Sequence, residues 1–176
     1  SGTWTYSLDN TLAATQALIE GETRTETFTA KVTDDKGAQA TQIVTVSIKG
    51  TNDAPVVQAV TGFATEDGAP IAINLIGDDV DADDTETSLI YSIVNGPDAG
   101  QGAAPIVGSV LTFNPGSDFQ ELAAGEQRDV LISYRATDKH GAVSNTQTAT
   151  IAVVGTNDAV LITPGAQDGT VIEDDA

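Results

Sequence analysis

The five-residue word GTNDA occurs at Gly50–Ala54 and again at Gly155–Ala159. Repetition constrains the fold more tightly than composition does, because a repeated word implies a repeated structural unit stacked on its neighbours. The similarity extends upstream of the word. In LIEGETRTETFTAKVTDDKGA (Leu18–Ala38) and LAAGEQRDVLISYRATDKHGA (Leu122–Ala142), Gly21-Glu22 matches Gly125-Glu126 and Arg24 matches Arg128. Thr33-Asp34 likewise matches Thr137-Asp138, and Gly37-Ala38 matches Gly141-Ala142. TQIVTVSIKGTNDA then aligns with TQTATIAVVGTNDA, and TEDGA (Thr65–Ala69) is echoed faintly by IEDDA (Ile172–Ala176). These echoes divide the chain into the second half of one unit (1–52), a complete unit (53–157) and the start of a third (158–176). GTNDA marks the seams.

The units read as β-structure. Val44, Val46 and Ile48 alternate with polar residues, as do Phe28, Ala30 and Val32, which is the period of a half-buried strand. Ala149, Ile151 and Val153 keep that parity in the second copy, with Val130, Ile132, Tyr134 and Ala136 before them. DDKG and DKHG have the composition of hairpin turns. TWTYSL, APVVQAV, PIAINLI, SLIYSIV and SVLTFNP add short β-rich runs, whereas NTLAATQALIEGE and SDFQELAAGE each predict a helical turn. The expected fold is all-β: tandem antiparallel β-sandwich domains of the immunoglobulin or cadherin-like type, the first one truncated.

Charge narrows the functions. With 26 acidic and 7 basic residues the net charge is −19. Such a surface repels nucleic acid and anionic lipid and attracts cations, although solubility alone is a competing explanation. The chain has no Cys, so disulfides, thiol nucleophiles and thiolate metal sites are excluded. No apolar run approaches the roughly 18 residues of a membrane span. Neither a start Met nor a signal segment is present, which predicts a piece of a longer chain whose export address, if it is exported, lies elsewhere. His140 is the single histidine and reads as a solvated turn residue. G-x-S-x-G and H-E-x-x-H are both missing, so the chain is not expected to be an enzyme.

GTWTYSLDNTLAATQAL, GETRTETFTAKVTDDKG and VTVSIKGTNDAPV together resemble the C-terminal half of a VCBS repeat. The middle unit resembles the cadherin-like or Ig-like tandem repeats of the same proteins, large secreted bacterial (RTX-type) biofilm adhesins. The resemblance implies a structural extender at the bacterial cell surface, exported by type I secretion and supporting adhesion. Its partners would be neighbouring repeats of the same chain. A module that binds carbohydrate or protein through the Gly-rich loop Val94–Gly108 is the alternative. Strand exchange between copies, through the C-terminal run GTVIEDD, is a further expected contact.

The acidic run GDDVDADDTE (Gly77–Glu86) holds Asp78, Asp79, Asp81, Asp83 and Asp84. Carboxylates so close repel by about 1 kcal/mol per pair at ~4 Å in bulk water, unless a hard cation such as Ca²⁺, which takes oxygen ligands in loose geometry, joins them. An EF-hand is excluded, since Asp84 stands at its Gly position and Ile90 at its Glu position. The cadherin resemblance implies instead a Ca²⁺ seam in which Asn52 and Asp53 form the linker, with Pro55 following. Asp81 and Asp83 would form the D-x-D loop and Asp138 the late acidic ligand. Glu66 would serve the next seam with Asn157 and Asp158. The first acidic position of that linker is Gly50 here, and Gly155 at the second seam, where Val160 also replaces Pro. Read without the resemblance, the Asn-Asp words and Asp34 and Asp138 are also ordinary turn formers, and the aspartate run a solvated loop.

Overall fold

The computed structural model describes residues 3–159. After one short helix, α1 (Ala13–Gln16), the chain forms β1 (Thr23–Thr33), β2 (Gln39–Lys49), β3 (Val56–Val57), β4 (Val60–Thr65), β5 (Ile71–Asn74) and β6 (Gly77–Asp78). β7 (Ile90–Asn95), β8 (Ile106–Val107), β9 (Val110–Phe113), β10 (Gln127–Thr137) and β11 (Gln147–Val154) follow.

Two sheets make the sandwich, β4-β11-β10-β7 on one side and β5-β9-β8 on the other, with β3-β6 as a short separate pair. The pairing is antiparallel except that β4 runs parallel to β11, from Ala149↔Val60 to Val154↔Thr65. This one departure from an antiparallel sandwich arises because the first strand of the unit divides. Its start, β3, pairs with β6, and its continuation, β4, crosses to the edge of the other sheet.

Alternation sets the core, as expected. Val130, Ile132, Tyr134 and Ala136 of β10 and Ala149, Ile151 and Val153 of β11 are wholly buried, packed in one cluster with Ile73, Leu111 and Phe113 of the facing sheet. Each such Val, Leu, Ile or Phe contributes about 1.5–3 kcal/mol when fully buried. The Tyr134 hydroxyl donates to the Gln58 carbonyl, and the Asn145 amide bonds both the N–H and the C=O of Val57, at 2.8 and 3.0 Å. These contacts pin β3 beside the acidic loop.

The first unit differs. β1 and β2 pair in full register from Thr23↔Lys49 to Thr33↔Gln39, but β1 is exposed along its whole length, Phe28 and Val32 included. The half-buried alternation expected of the first unit holds in β2, at Val44, Val46 and Ile48, and is lost only in β1, because a two-stranded hairpin has no second sheet to cover its faces. The TWTYSL run is not a strand, and SDFQELAAGE forms turns instead of a helical turn. Within the latter, Phe119 takes φ of 73°, uncommon for a bulky side chain, and buries its ring edge-on to Phe113.

Candidate metal centre

The two GTNDA glycines have a packing reason. A Cβ on Gly50 would lie 2.3 Å from the Ile19 carbonyl oxygen, and one on Gly155 would lie 2.3 Å from that of Ala123. In both copies the glycine is clasped by matching backbone bonds. Gly50 N–H donates to Glu22 and receives Gly21 N–H, as Gly155 donates to Glu126 and receives Gly125 N–H. So the absence of an Asp at these positions is imposed by close backbone approach, not by tolerance of a weaker site.

From Gly50 the chain enters the first seam. The Asn52 amide donates to the Asp53 carbonyl and to Asp138 Oδ2, each at 2.9 Å. That leaves its own Oδ1 aimed away from every donor. Asp53 N–H donates to Asp81 Oδ2 at 2.7 Å, and Asp81 N–H donates to Asp79 Oδ1 at 3.0 Å. Asp138 sits in its hairpin turn as Asp34 does in the first copy, each Oδ1 taking the N–H four residues on. Asn52, Asp53, Asp81 and Asp138 are therefore joined directly through hydrogen bonds. Asp83 lies in the same loop, but Lys139 Nζ holds its Oδ2 at 2.6 Å and its backbone carbonyl at 2.9 Å.

Five buried side-chain atoms here have no hydrogen-bond partner: Asn52 Oδ1, Asp79 Oδ2, Asp81 Oδ1, Asp83 Oδ1 and Asp84 Oδ2. All five are acceptors. An unsatisfied buried acceptor costs about 1–3 kcal/mol, so five from one linker and one loop make an expensive cluster unless something positive completes it. Oxygen donors in such number suit a hard divalent cation.

The electrostatics agree. Burial pushes the Asp81 carboxyl above its usual range, and the charges of Asp53, Asp83 and Asp84 add to this against the Asp53 N–H. Asp79 is raised by burial too, reinforced by Asp81, Asp84 and Asp138. Asp83 is held low by the Lys139 contact. For Asp138, burial acts upward but is outweighed by the Asn52 amide and the N–H groups of its turn, and the net direction is down.

At the second seam Glu66 is fully buried, and its Oε1 accepts from the Thr156 N–H and hydroxyl. Its Oε2 has no partner. Carboxylate oxygens of Glu66, Asp67 and Asp158 lie within 4.8 Å of one another, and Asn157 donates to the Asp158 carbonyl at 3.3 Å, the counterpart of Asn52 with Asp53. Asp67 is lowered by Gln120 and Thr156. The GTVIEDD run lies outside the described residues.

Sequence reasoning missed Asp79, Asp84, Asp67 and the setting of His140. The first two belong to the aspartate run, where spacing alone does not say which carboxylates turn inward. His140 is an exposed turn residue, as expected, but its ring lies between Asp83 and Glu20. The loop Val94–Gly108 is tied to its neighbours: Ala103 bridges Asn114, and Gly102 N–H donates to Asp118 at 2.8 Å.

Residues 52–154, more than half of the chain, match the family described as the bacterial Ig domain. The chain belongs to the bacterial Ig domain family. Among solved structures, the extracellular cadherin domains 1–4 of protocadherin gamma B7 are similar at 20% identity with a TM-score of 0.50, over 77% of this chain and 33% of that one. Drosophila N-cadherin EC1-3 follows at 18% identity and TM-score 0.43, over 68% and 40% of the two chains. An endo-fucoidan hydrolase of glycoside hydrolase family 107 stands at 14% and 0.39, over 80% and 20%. The protocadherin likeness shows an Ig/cadherin-like sandwich, and this chain spans about a third of that structure's length. The other two are too distant to support an inference. No curated protein sequence matches the chain. Among the described residues no helix is long and apolar enough to cross a membrane.

Proposed function

We propose that this bacterial Ig chain is a structural extender of a large cell-surface adhesin of the VCBS/RTX type, stiffened by Ca²⁺ where its units meet. The observation that carries this reading is the set of buried, donor-less oxygens of Asn52, Asp79 and Asp81, where the linker after β2 meets the loop after β6. Asn52, Asp79 and Asp81 would hold the ion with Asp53, while Asp138 orients Asn52. Glu66, Asp67 and Asp158, with Asn157 beside them, would form a second site.

Calcium supplies the positive charge that neutralises these groups. The chain's own residues supply the coupling, because Asn52 and Asp53 belong to the linker and Asp79 and Asp81 to the sandwich. Residues of the two units already touch at this place, where Ala82 N–H donates to the Ala17 carbonyl at 3.3 Å. Extracellular calcium modules bind at about 10⁻⁴–10⁻³ M, a range useful where calcium is millimolar, outside the cell. Export by type I secretion and a part in biofilm cohesion belong to the same reading, as does a structural rather than catalytic role.

Calorimetric titration paired with small-angle scattering tests it. Calcium should bind with sub-millimolar to millimolar affinity and yield a longer, stiffer particle than chelator does. Binding without any change in dimensions would leave calcium as a local stabiliser and defeat the extender mechanism. Absence of binding would defeat the whole reading.

A further inference from the structure

One acidic group at the first seam differs in kind from the oxygen-only cluster, because it includes the only imidazole in the chain. Asp83, Asp84 and His140 each offer a ligand atom, and these atoms lie within 4.8 Å of one another. His140 Nε2 is 3.3 Å from Asp83 Oδ2. Asp84 is more than nine-tenths buried and its Oδ2 has no partner, while its Oδ1 is held by the Ser88 hydroxyl at 2.9 Å. Asp83 Oδ1 is buried and unpartnered as well.

The other face of the ring carries the decisive detail. His140 Nδ1 points to Glu20 Oε2, 3.6 Å away, a carboxylate of the preceding unit. Metal-binding histidines commonly present their second nitrogen to a carboxylate, which fixes the tautomer, orients the ring and raises its basicity. Nitrogen plus carboxylate ligation favours zinc and its neighbours over calcium, which prefers oxygen alone.

We propose that Asp83, Asp84 and His140 form a second metal site, selective for a borderline divalent cation of the zinc class and oriented across the seam by Glu20. Its three ligands belong to one unit, and the preceding unit reaches the site only through Glu20 beside the imidazole. Lys139, whose Nζ lies on Asp83 Oδ2, is the built-in competitor. Its side chain is 41% exposed and free to swing into solvent as the metal enters.

The test uses the full chain without a histidine tag, in saturating calcium so that the site of Asn52, Asp79 and Asp81 is already filled. Zn²⁺ is titrated by calorimetry and by NMR of the imidazole ring, which is unambiguous with one histidine. The expected result is one equivalent bound, with the ring signals shifting in step. His140→Ala should weaken zinc by about tenfold or more, and Glu20→Gln by about tenfold, while the calcium-dependent rise in melting temperature stays unchanged in both. Lys139→Gln, which removes the competing charge from Asp83, should tighten zinc several-fold. Ring signals that stay still at stoichiometric zinc, or equal zinc affinity in wild type and His140→Ala, would overturn the proposal and identify any binding as adventitious to surface carboxylates. Because calcium is measured separately in each protein, failure of the zinc site and failure of the calcium seam are told apart.

Discussion

Asp81→Asn separates a carboxylate kept for a cation from one kept for the fold. Asp81 is 2% exposed, its Oδ2 accepts the Asp53 N–H, and its Oδ1 meets no donor. Asn preserves shape and the Oδ2 contact while converting the stranded oxygen into an amide donor among acceptors. The Asp81 pKa is raised in the folded state, so ionisation opposes folding at neutral pH, and removing the charge should make the calcium-free protein more stable. With calcium the sign reverses. For a site of about 10⁻⁴ M, about 10 mM calcium adds about 2.7 kcal/mol. A tenfold loss of affinity leaves about 1.4 kcal/mol. At about 4–8 °C per kcal/mol for a domain near 100 residues, the calcium-induced rise in Tm should shrink from about 11–22 °C to about 6–11 °C. Differential scanning fluorimetry in chelator and in calcium reads both effects, with exposed Asp98→Asn as the control. If Asp81→Asn melts lower than wild type in chelator and gains as much from calcium, the carboxylate is structural and the reasoning fails.

Acidification offers a second check on the same groups in calcium-free protein. Asp79 and Asp81 are raised, so their destabilisation should fade as pH falls from 7 toward the ordinary carboxylate value of about 3.9, whereas the lowered Asp83 and Asp138 lose their stabilising effect only below that value. Thermal melts in chelator should therefore peak in mildly acidic buffer, and a peak at neutral pH would contradict the assignment. Gly155→Ala should cost about 1–3 kcal/mol, because the new methyl meets the Ala123 carbonyl; urea denaturation measures it, and a neutral result would show that the clasp yields easily. Tyr134→Phe should cost about 0.5–1.5 kcal/mol by removing the hydroxyl's bond to the Gln58 carbonyl, and an unchanged denaturation midpoint would mean that water replaces the hydroxyl.

Much of this was legible in the sequence, and the parts that were not share a cause. Alternation in Val130–Ala136 and Ala149–Val153 predicts strands that the structure buries at those residues, because period-2 patterning is a local record of a nonlocal core. The same patterning in Phe28–Val32 predicts a strand but not its burial, since burial needs a second layer that local sequence does not supply. The parallel β4–β11 pair was hidden for a related reason: strand pairing is set by where the chain crosses between sheets, not by the composition of the six residues involved. At the seam, resemblance pointed to Asn52, Asp53, Asp81, Asp83 and Asp138; hydrogen bonds join all of these but Asp83, which Lys139 holds instead. It did not point to Asp79 or Asp84, whose inward aim depends on how the loop folds over the linker.

GTNDA supplies the same glycine clasp and the same Asn-to-Asp carbonyl bond twice, so the linker conformation is fixed by local chemistry in both places. The acidic groups around it come from distant sequence. Within the 53–157 sandwich, the loop after β6 presents Asp81 to the Asp53 N–H of the word before it. Glu66 and Asp67, at the far end of β4, bond Thr156 of the word after it. Buried oxygens without a donor occur at both places, four in the aspartate loop and Glu66 Oε2 beside the second word. One unit therefore contributes carboxylates to both of its ends, with separate parts of the same sandwich, because strand crossing brings β4 and the β6–β7 loop to opposite GTNDA words.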